Sequence, residues 1–342
     1  MLPRERVLAA LSGGKPDRTP RDFWAEEPTW ARLLAHAGHD DRERLLCDLG
    51  IDVRHINAVT PPDRWVDGAM QNLWGERFIF HDTQWGRLRS HVAGALADAA
   101  SLTDLERFPW PSVDDLDFSG LVEECRHLDD YAFLYGFADI WQRPSLVRGM
   151  EGMFLDMAER PEWAHFLCRR FTGFFSAEYT RAAEVTNGRI DMYLVISDLG
   201  TQRGPLISHA MFAEFVAPYI AEMVSVIHSL GGRALFHSCG NIATLIPTLL
   251  DLGIDVLDPI QPVGPEMAPE RLAAEFGGRA CFHGGIDMQH LLPLGTPDEV
   301  RAEARRYCEV LGAAGGYILS PAHLFQPDVP PGNVTAMYDS AP

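Results

Sequence analysis

Arg233-Ala234-Leu235-Phe236-His237-Ser238-Cys239-Gly240-Asn241 is an apolar run that ends on an imidazole and a thiol. If Arg233 to Cys239 is extended, residues two apart share a face, so Leu235, His237 and Cys239 point the same way. Gly240 permits a sharp exit from such a strand, and Asn241 suits the N-cap of a helix over Ile242 to Leu252. The pair then stands at a strand's C-terminal end, the edge on which parallel α/β proteins build their active sites. Histidine and cysteine together there outline a soft-metal site. The competing reading is two buried residues that bind nothing.

Outward from this stretch, short apolar runs recur at Ala132 to Ala138, Asp191 to Ile196, Asp255 to Leu257, Ala280 to His283 and Gly316 to Leu319. Helical patterns lie between them at Glu162 to Glu184, Ala210 to Leu230, Pro269 to Phe276 and Pro297 to Gly312. Strands alternating with helices specify βαβ units and a parallel sheet. An earlier strand at Ile51 to Val59, with further strands in the irregular first third, brings the number close to eight. No glycine-rich dinucleotide fingerprint follows any strand. The expected fold is therefore α/β, a single (β/α)8 barrel spanning residues 1–342. Residues 60–118 form a loop-rich N-terminal insertion in this reading, with hairpin arms at Glu76 to Phe80 and Trp85 to His91.

Composition narrows the partners. The formal charge is -19 with no lysine- or arginine-rich run, which argues against nucleic acid and against an anionic membrane surface. No apolar stretch reaches the roughly 20 residues of a membrane span. The six cysteines are scattered without framework spacing, and Met1 is followed by Leu2-Pro3-Arg4-Glu5-Arg6 rather than by an apolar signal core. The expectation is a cytoplasmic protein with reduced thiols and a small-molecule or protein partner.

Chemically capable residues follow the other strands too: Asp139, Asp198, Asp258, Asp287 and His323. Alone, each reads as readily as a cap or turn residue. Together they place carboxylates and a second imidazole on the barrel edge that carries His237 and Cys239. His283 is a weaker candidate nearer the mouth, whereas Cys281 belongs deeper in the barrel. Cys47, Cys125, Cys168 and Cys308 fall on helical patterns as core cysteines.

Several motifs then resemble the uroporphyrinogen decarboxylase superfamily over nearly the whole chain. They are Arg4-Glu5-Arg6-Val7-Leu8-Ala9-Ala10-Leu11 with Pro16-Asp17-Arg18, Asp198-Leu199-Gly200-Thr201-Gln202-Arg203-Gly204, and His237-Ser238-Cys239-Gly240-Asn241. Gly284-Gly285-Ile286-Asp287 and Pro321-Ala322-His323 before Asp328-Val329-Pro330-Pro331 complete the set. The resemblance implies one (β/α)8 barrel and two functional branches. One branch decarboxylates uroporphyrinogen without a cofactor; the other holds zinc and moves methyl groups to or from a corrinoid protein.

The decarboxylase branch carries an N-terminal arginine-rich substrate loop. Here that stretch reads Pro20-Arg21-Asp22-Phe23-Trp24-Ala25-Glu26-Glu27, whose paired glutamates repel a polycarboxylate. The methyltransferase branch carries His-x-Cys where His237 and Cys239 stand, and a third, cysteine ligand where this chain has His323. The resemblance thus implies zinc on His237, Cys239 and His323, with Asp198 as the catalytic group or fourth ligand. It also implies a methyl-corrinoid supplied by a partner protein and a small-molecule methyl donor or acceptor. Arg54, Asp139, Gln202 and Asp287 are the candidate substrate contacts. A porphyrinogen decarboxylase and a non-catalytic metabolite-binding barrel remain the alternatives.

Overall fold

In this computed structural model of the protein, residues 1–84, 86–313 and 315–339 are described. Seven strands form a parallel sheet, β1 (Val53–Ile56), β6 (Ala132–Asp139), β7 (Met192–Ile196), β8 (Arg233–His237), β9 (Val256–Asp258), β10 (Cys281–His283) and β11 (Tyr317–Ile318), in that spatial order. The intervening β2 (Arg64–Val66), β3 (Ala69–Gln71), β4 (Arg77–Thr83) and β5 (Gly86–Ala93) make a separate antiparallel sheet. The β4–β5 hairpin falls where the hairpin arms were expected. Trp85 lies outside the described residues.

The parallel sheet is curled. Val53, Ala132, Leu134, Met192, Leu194, Ile196, Leu235, Val256, Cys281 and Ile318 form one buried cluster with Val7 of the helix Pro3–Leu11. Every strand of the sheet contributes to it, and only a sheet rolled toward closure brings its two edges to one core. Between those edges lies the segment Pro20–Asp22. Leu319 N donates to Pro20 O, Asp22 N to Leu319 O and Asp52 N to Arg21 O. The eight strands expected from sequence are therefore seven strands among the described residues, plus a short irregular segment bonded to both sides. Pro20 has no N–H to donate, which limits how far a ladder can run there.

Outside the sheet, the helix Pro161–Val185 shows how pattern becomes packing. Trp163, Leu167, Phe171, Phe175, Tyr179 and Ala182 recur at three- and four-residue spacing and are buried. Pro161 occupies its first turn, where a missing N–H costs nothing. Two expected helices are shorter. Ala210 to Leu230 divides into His209–Phe215 and Ala217–Ser229, because Pro218 tolerates only a first-turn position. The helix expected over Ile242 to Leu252 runs only from Ile246 to Asp251, with Pro247 in its first turn. Asn241 Oδ1 instead accepts from Ala243 N, closing a turn ahead of that helix. No single helix among the described residues is long and apolar enough to cross a membrane. All six cysteines are free.

Candidate metal centre

Register sets up the site. In the parallel ladders His237 on β8 pairs with Asp258 on β9, and Phe282 on β10 with Leu257, so His237, Asp258 and His283 form one row across three adjacent strands. All three are buried. Asp258 accepts from Nδ1 of both histidines, each at 2.6 Å. The row continues from the β10 edge of the curled sheet to the β1 edge: His283 Nε2 meets Asp22 Oδ2 at 3.1 Å, and Asp22 Oδ1 meets His55 Nε2 at 2.8 Å. Trp24 Nε1 also donates to Asp22, at 3.0 Å. Both ring nitrogens of His283 thus face carboxylates, which fixes it as an imidazolium donating in both directions.

The electrostatics follow. Burial would lower the His283 pKa, but Asp258 and Asp22 raise it to about 9. Burial would raise Asp258 and Asp22, yet the imidazoles beside each hold both carboxyls well below the usual range. Burial would also lower His237, but Asp258 and then Cys239 hold it well above the ordinary imidazole value.

With Nδ1 committed to Asp258, His237 presents Nε2 to Cys239 Sγ at 3.6 Å. Cys239 lies two residues past the strand end and still converges with His237, as the alternation predicts. His323, in the loop after β11, completes the group: one ligand atom each from His237, Cys239 and His323 lie within 4.8 Å of one another. Burial raises the Cys239 thiol, whereas burial and then the charge of His237 lower His323. The Trp24 ring lies parallel to His237, 7° between planes with centroids 6.1 Å apart, and walls one side.

Two glycines let the loops cross behind the cluster. A Cβ on Gly200 would stand 2.3 Å from Cys239 O, and one on Gly240, whose φ is +84°, 2.5 Å from Gly200 C. Asn241 N donates to Thr201 O across the same crossing.

The other sequence candidates divide. Asp198 joins the cluster: its Oδ1 accepts from Cys239 N at 3.0 Å and lies 3.8 Å from His237 Nε2. Asp139 ends β6 fully buried with Oδ1 lacking a hydrogen-bond partner. Burial pushes its carboxyl to about 6, with Arg143 opposing and Asp198 adding. Gln202 is exposed on the loop that meets Asn241. Arg54 is not brought to the cluster; its Nε and Nη2 hold Glu43 at 2.9 and 2.6 Å, and its guanidinium stacks over Tyr131. Asp287 caps a turn, its Oδ1 accepting from Gln289 N and His290 N.

Asp22 and Trp24 are the residues that sequence reasoning missed. The acid-containing segment around them was read for an arginine-rich loop that it does not form, and only the signal of a chain passing between β11 and β1 could have raised Asp22.

The comparisons with known proteins bear on this geometry. A family model described as uroporphyrinogen decarboxylase matches residues 127–342. Among solved structures, a methyltransferase from Methanosarcina mazei superposes with a TM-score of 0.70 at 17% sequence identity, over 99% of this chain and 98% of that chain. At that identity the likeness speaks for the fold alone. No curated protein matches the sequence closely enough to count as a relative.

Proposed function

Because the chain belongs to the uroporphyrinogen decarboxylase family, we propose that it is a zinc-dependent methyltransferase, moving a methyl group between a small methyl donor or thiol acceptor and the corrinoid of a partner protein. The observation that carries this reading is the convergence of His237, Cys239 and His323. The donor set fits the metal. Bonds of about 2.0 Å to nitrogen and 2.3 Å to sulfur at a tetrahedral angle separate their ends by about 3.5 Å. His237 Nε2 and Cys239 Sγ are 3.6 Å apart. Three atoms within 4.8 Å of one another also share a centre no more than about 2.8 Å from each, a short contraction from zinc bond lengths. In the same reading the fold is a (β/α)8 barrel whose eighth stave is the Pro20–Asp22 segment.

Zinc held there would supply a Lewis acid, easing deprotonation of a thiol or departure of an oxygen- or nitrogen-bound methyl carrier. The chain's own residues supply the rest. Asp258 holds the His237 proton on Nδ1, so Nε2 is the nitrogen that would give up its proton and turn a lone pair to the metal. Asp198 anchors the Cys239 backbone and stands ready as a fourth ligand or as a proton acceptor for substrate. A His, Cys, His set carries one thiolate where the resemblance leads one to expect two. The more positive centre favours polarising a methyl donor over activating an acceptor thiol. Asp139, with its free oxygen, and Gln202 are the substrate contacts at the mouth. Arg54 and Asp287 already have partners and rank behind them. The engagement of Arg54 also weighs against a porphyrinogen polycarboxylate, which needs cations turned toward it.

The test follows methyl-corrinoid formation from cob(I)alamin and a panel of methyl ethers, methylamines and methylthiols, beside uroporphyrinogen turnover. Parent protein loaded with zinc forms methyl-corrinoid, and Cys239→Ser, still folded, does not. Equal transfer by the folded Ser variant, or turnover of uroporphyrinogen alone, overturns the proposal.

A further inference from the structure

A second site lies outside the lumen and shares no lining residue with the His237, Cys239 and His323 cluster. A cavity of about 330 Å³ opens between the end of β1, β6 and the helix Pro161–Val185, walled by Trp74, Phe137, Phe174 and Phe175 around Glu178. The aromatic wall is preassembled: Trp74 meets Phe174 at 4.7 Å edge-to-face and Phe175 at 5.8 Å between centroids.

Phe137 reaches this cavity through a distortion that the backbone takes trouble to keep. Seven of the eight residues of β6 are buried, and Phe137 alone is exposed, at 52%. Its exposure coincides with a bulge, where the register with β7 shifts between Tyr135 and Ala138. Gly136 adopts φ +89°, and a Cβ there would stand 2.3 Å from the Tyr179 ring. The Tyr179 hydroxyl accepts from Ala138 N at 2.9 Å, and Asn57 Oδ1 accepts from Gly136 N at 3.1 Å, pinning the bulge on both sides. Bulges can re-aim a side chain, and they are over-represented at sheet edges and next to active sites.

Glu178 gives the cavity its polarity. Its Oε1 accepts from the Tyr135 hydroxyl at 3.1 Å, and no cation among the described residues pairs with it. Burial holds its carboxyl up at about 7, the Tyr135 hydrogen bond opposing. Arg143, also in the wall, is spent on Glu76 at 2.7 Å. A carboxylate set among aromatic faces without a cation is an expensive arrangement unless a ligand brings the charge. Aromatic faces attract the same charge.

We propose that this cavity is a binding site for a small organic ammonium ion with an apolar or aromatic body. The ammonium meets Glu178, and the body lies against Phe137, Phe174 and Trp74. An anionic ligand is repelled by Glu178 and finds Arg143 already neutralised, and a cavity of this size holds a molecule of about ten heavy atoms.

Calorimetric titration with 2-phenylethylammonium, and with 2-phenylethanol as its uncharged counterpart, tests the assignment. The parent binds the ammonium at least tenfold more tightly than the alcohol. Glu178→Gln, which keeps an acceptor for the Tyr135 hydroxyl, abolishes that preference and leaves the alcohol unchanged. Phe137→Ala weakens both probes, and because this side chain is exposed it keeps the test open should the glutamine variant unfold. Cys239→Ser binds both probes like the parent, which separates this site from the metal centre. No binding by the parent, no preference for the cation, a preference that survives Glu178→Gln, unchanged binding by Phe137→Ala or lost binding by Cys239→Ser overturns the proposal.

Discussion

Asp258→Asn probes whether the imidazole and carboxylate row positions the metal-facing nitrogen of His237. The carboxylate is 5% exposed and accepts two hydrogen bonds of 2.6 Å, from His237 and His283. Asparagine has the same shape but a single carbonyl oxygen, so its amide must face one of the two imidazole N–H groups. One charge-assisted bond is lost, worth roughly 1.5–3 kcal/mol. Removing one partner of a buried ion pair costs about 3–5 kcal/mol in comparable cases. A loss of about 3 kcal/mol in urea unfolding of the metal-free protein at neutral pH is therefore expected. The pH dependence carries a sign. The raised pKa of His283 means its contribution is complete below about 6.5, the unfolded value, and is lost as pH rises through about 9. The depressed Asp258 contributes above about pH 3.9 and fades as pH falls from there. The parent accordingly loses stability from neutral toward pH 9, and the variant has a flatter alkaline limb. Zinc affinity, read by chelator competition, drops about 10- to 100-fold because His237 loses its orienting partner. Stability within about 0.5 kcal/mol of the parent together with unchanged zinc affinity refutes the reasoning.

If the cluster holds zinc as proposed, its uptake is expected to be coupled to protons. At neutral pH the raised His237 and Cys239 carry protons and the lowered His323 does not, so binding releases two. Apparent affinity then climbs about 100-fold per pH unit between roughly pH 6 and 8, and a flat profile in chelator competition contradicts this. Gly200→Ala drives a methyl group into the Cys239 carbonyl, for a loss of about 1–3 kcal/mol in thermal or urea unfolding and weaker zinc binding. On the proposed ligand set His323→Cys exchanges a neutral imidazole for a thiolate, and tighter zinc with slower methyl transfer from an ether or amine donor is expected from parallel affinity and rate measurements.

Much of the fold was legible because its strands are short apolar runs between strongly periodic helices. The start of β8 follows from sequence, while its end falls two residues short of the Cys239 expected, and the convergence of that end with His323 was expected too. Alternation placed Leu235 in the buried cluster inside the curled sheet and His237 on the same face at the strand's end. What the pattern could not encode was register. Asp258 and His283 were visible as residues near strand ends, but their partnership depends on Leu257 standing beside Phe282. Asp22 and His55 are 33 residues apart and meet only because an irregular segment runs between β11 and β1. Arg54 lies one residue from His55 on the other face of the strand, and its pairing with Glu43 shows that a cation near the right place in sequence can serve the outer wall. The break at Val216 was written in Pro218, a signal outweighed by the apolar period around it.

Metal analysis with X-ray absorption on untagged protein reads the occupant of the His237, Cys239 and His323 cluster. The expected result is close to one zinc per chain, with one sulfur at about 2.3 Å and the remaining ligands nitrogen or oxygen at about 2.0–2.1 Å. In Cys239→Ser the sulfur shell disappears while the melting temperature holds. A parent protein that binds no zinc, or binds it with no sulfur neighbour, rules out a zinc centre on His237, Cys239 and His323.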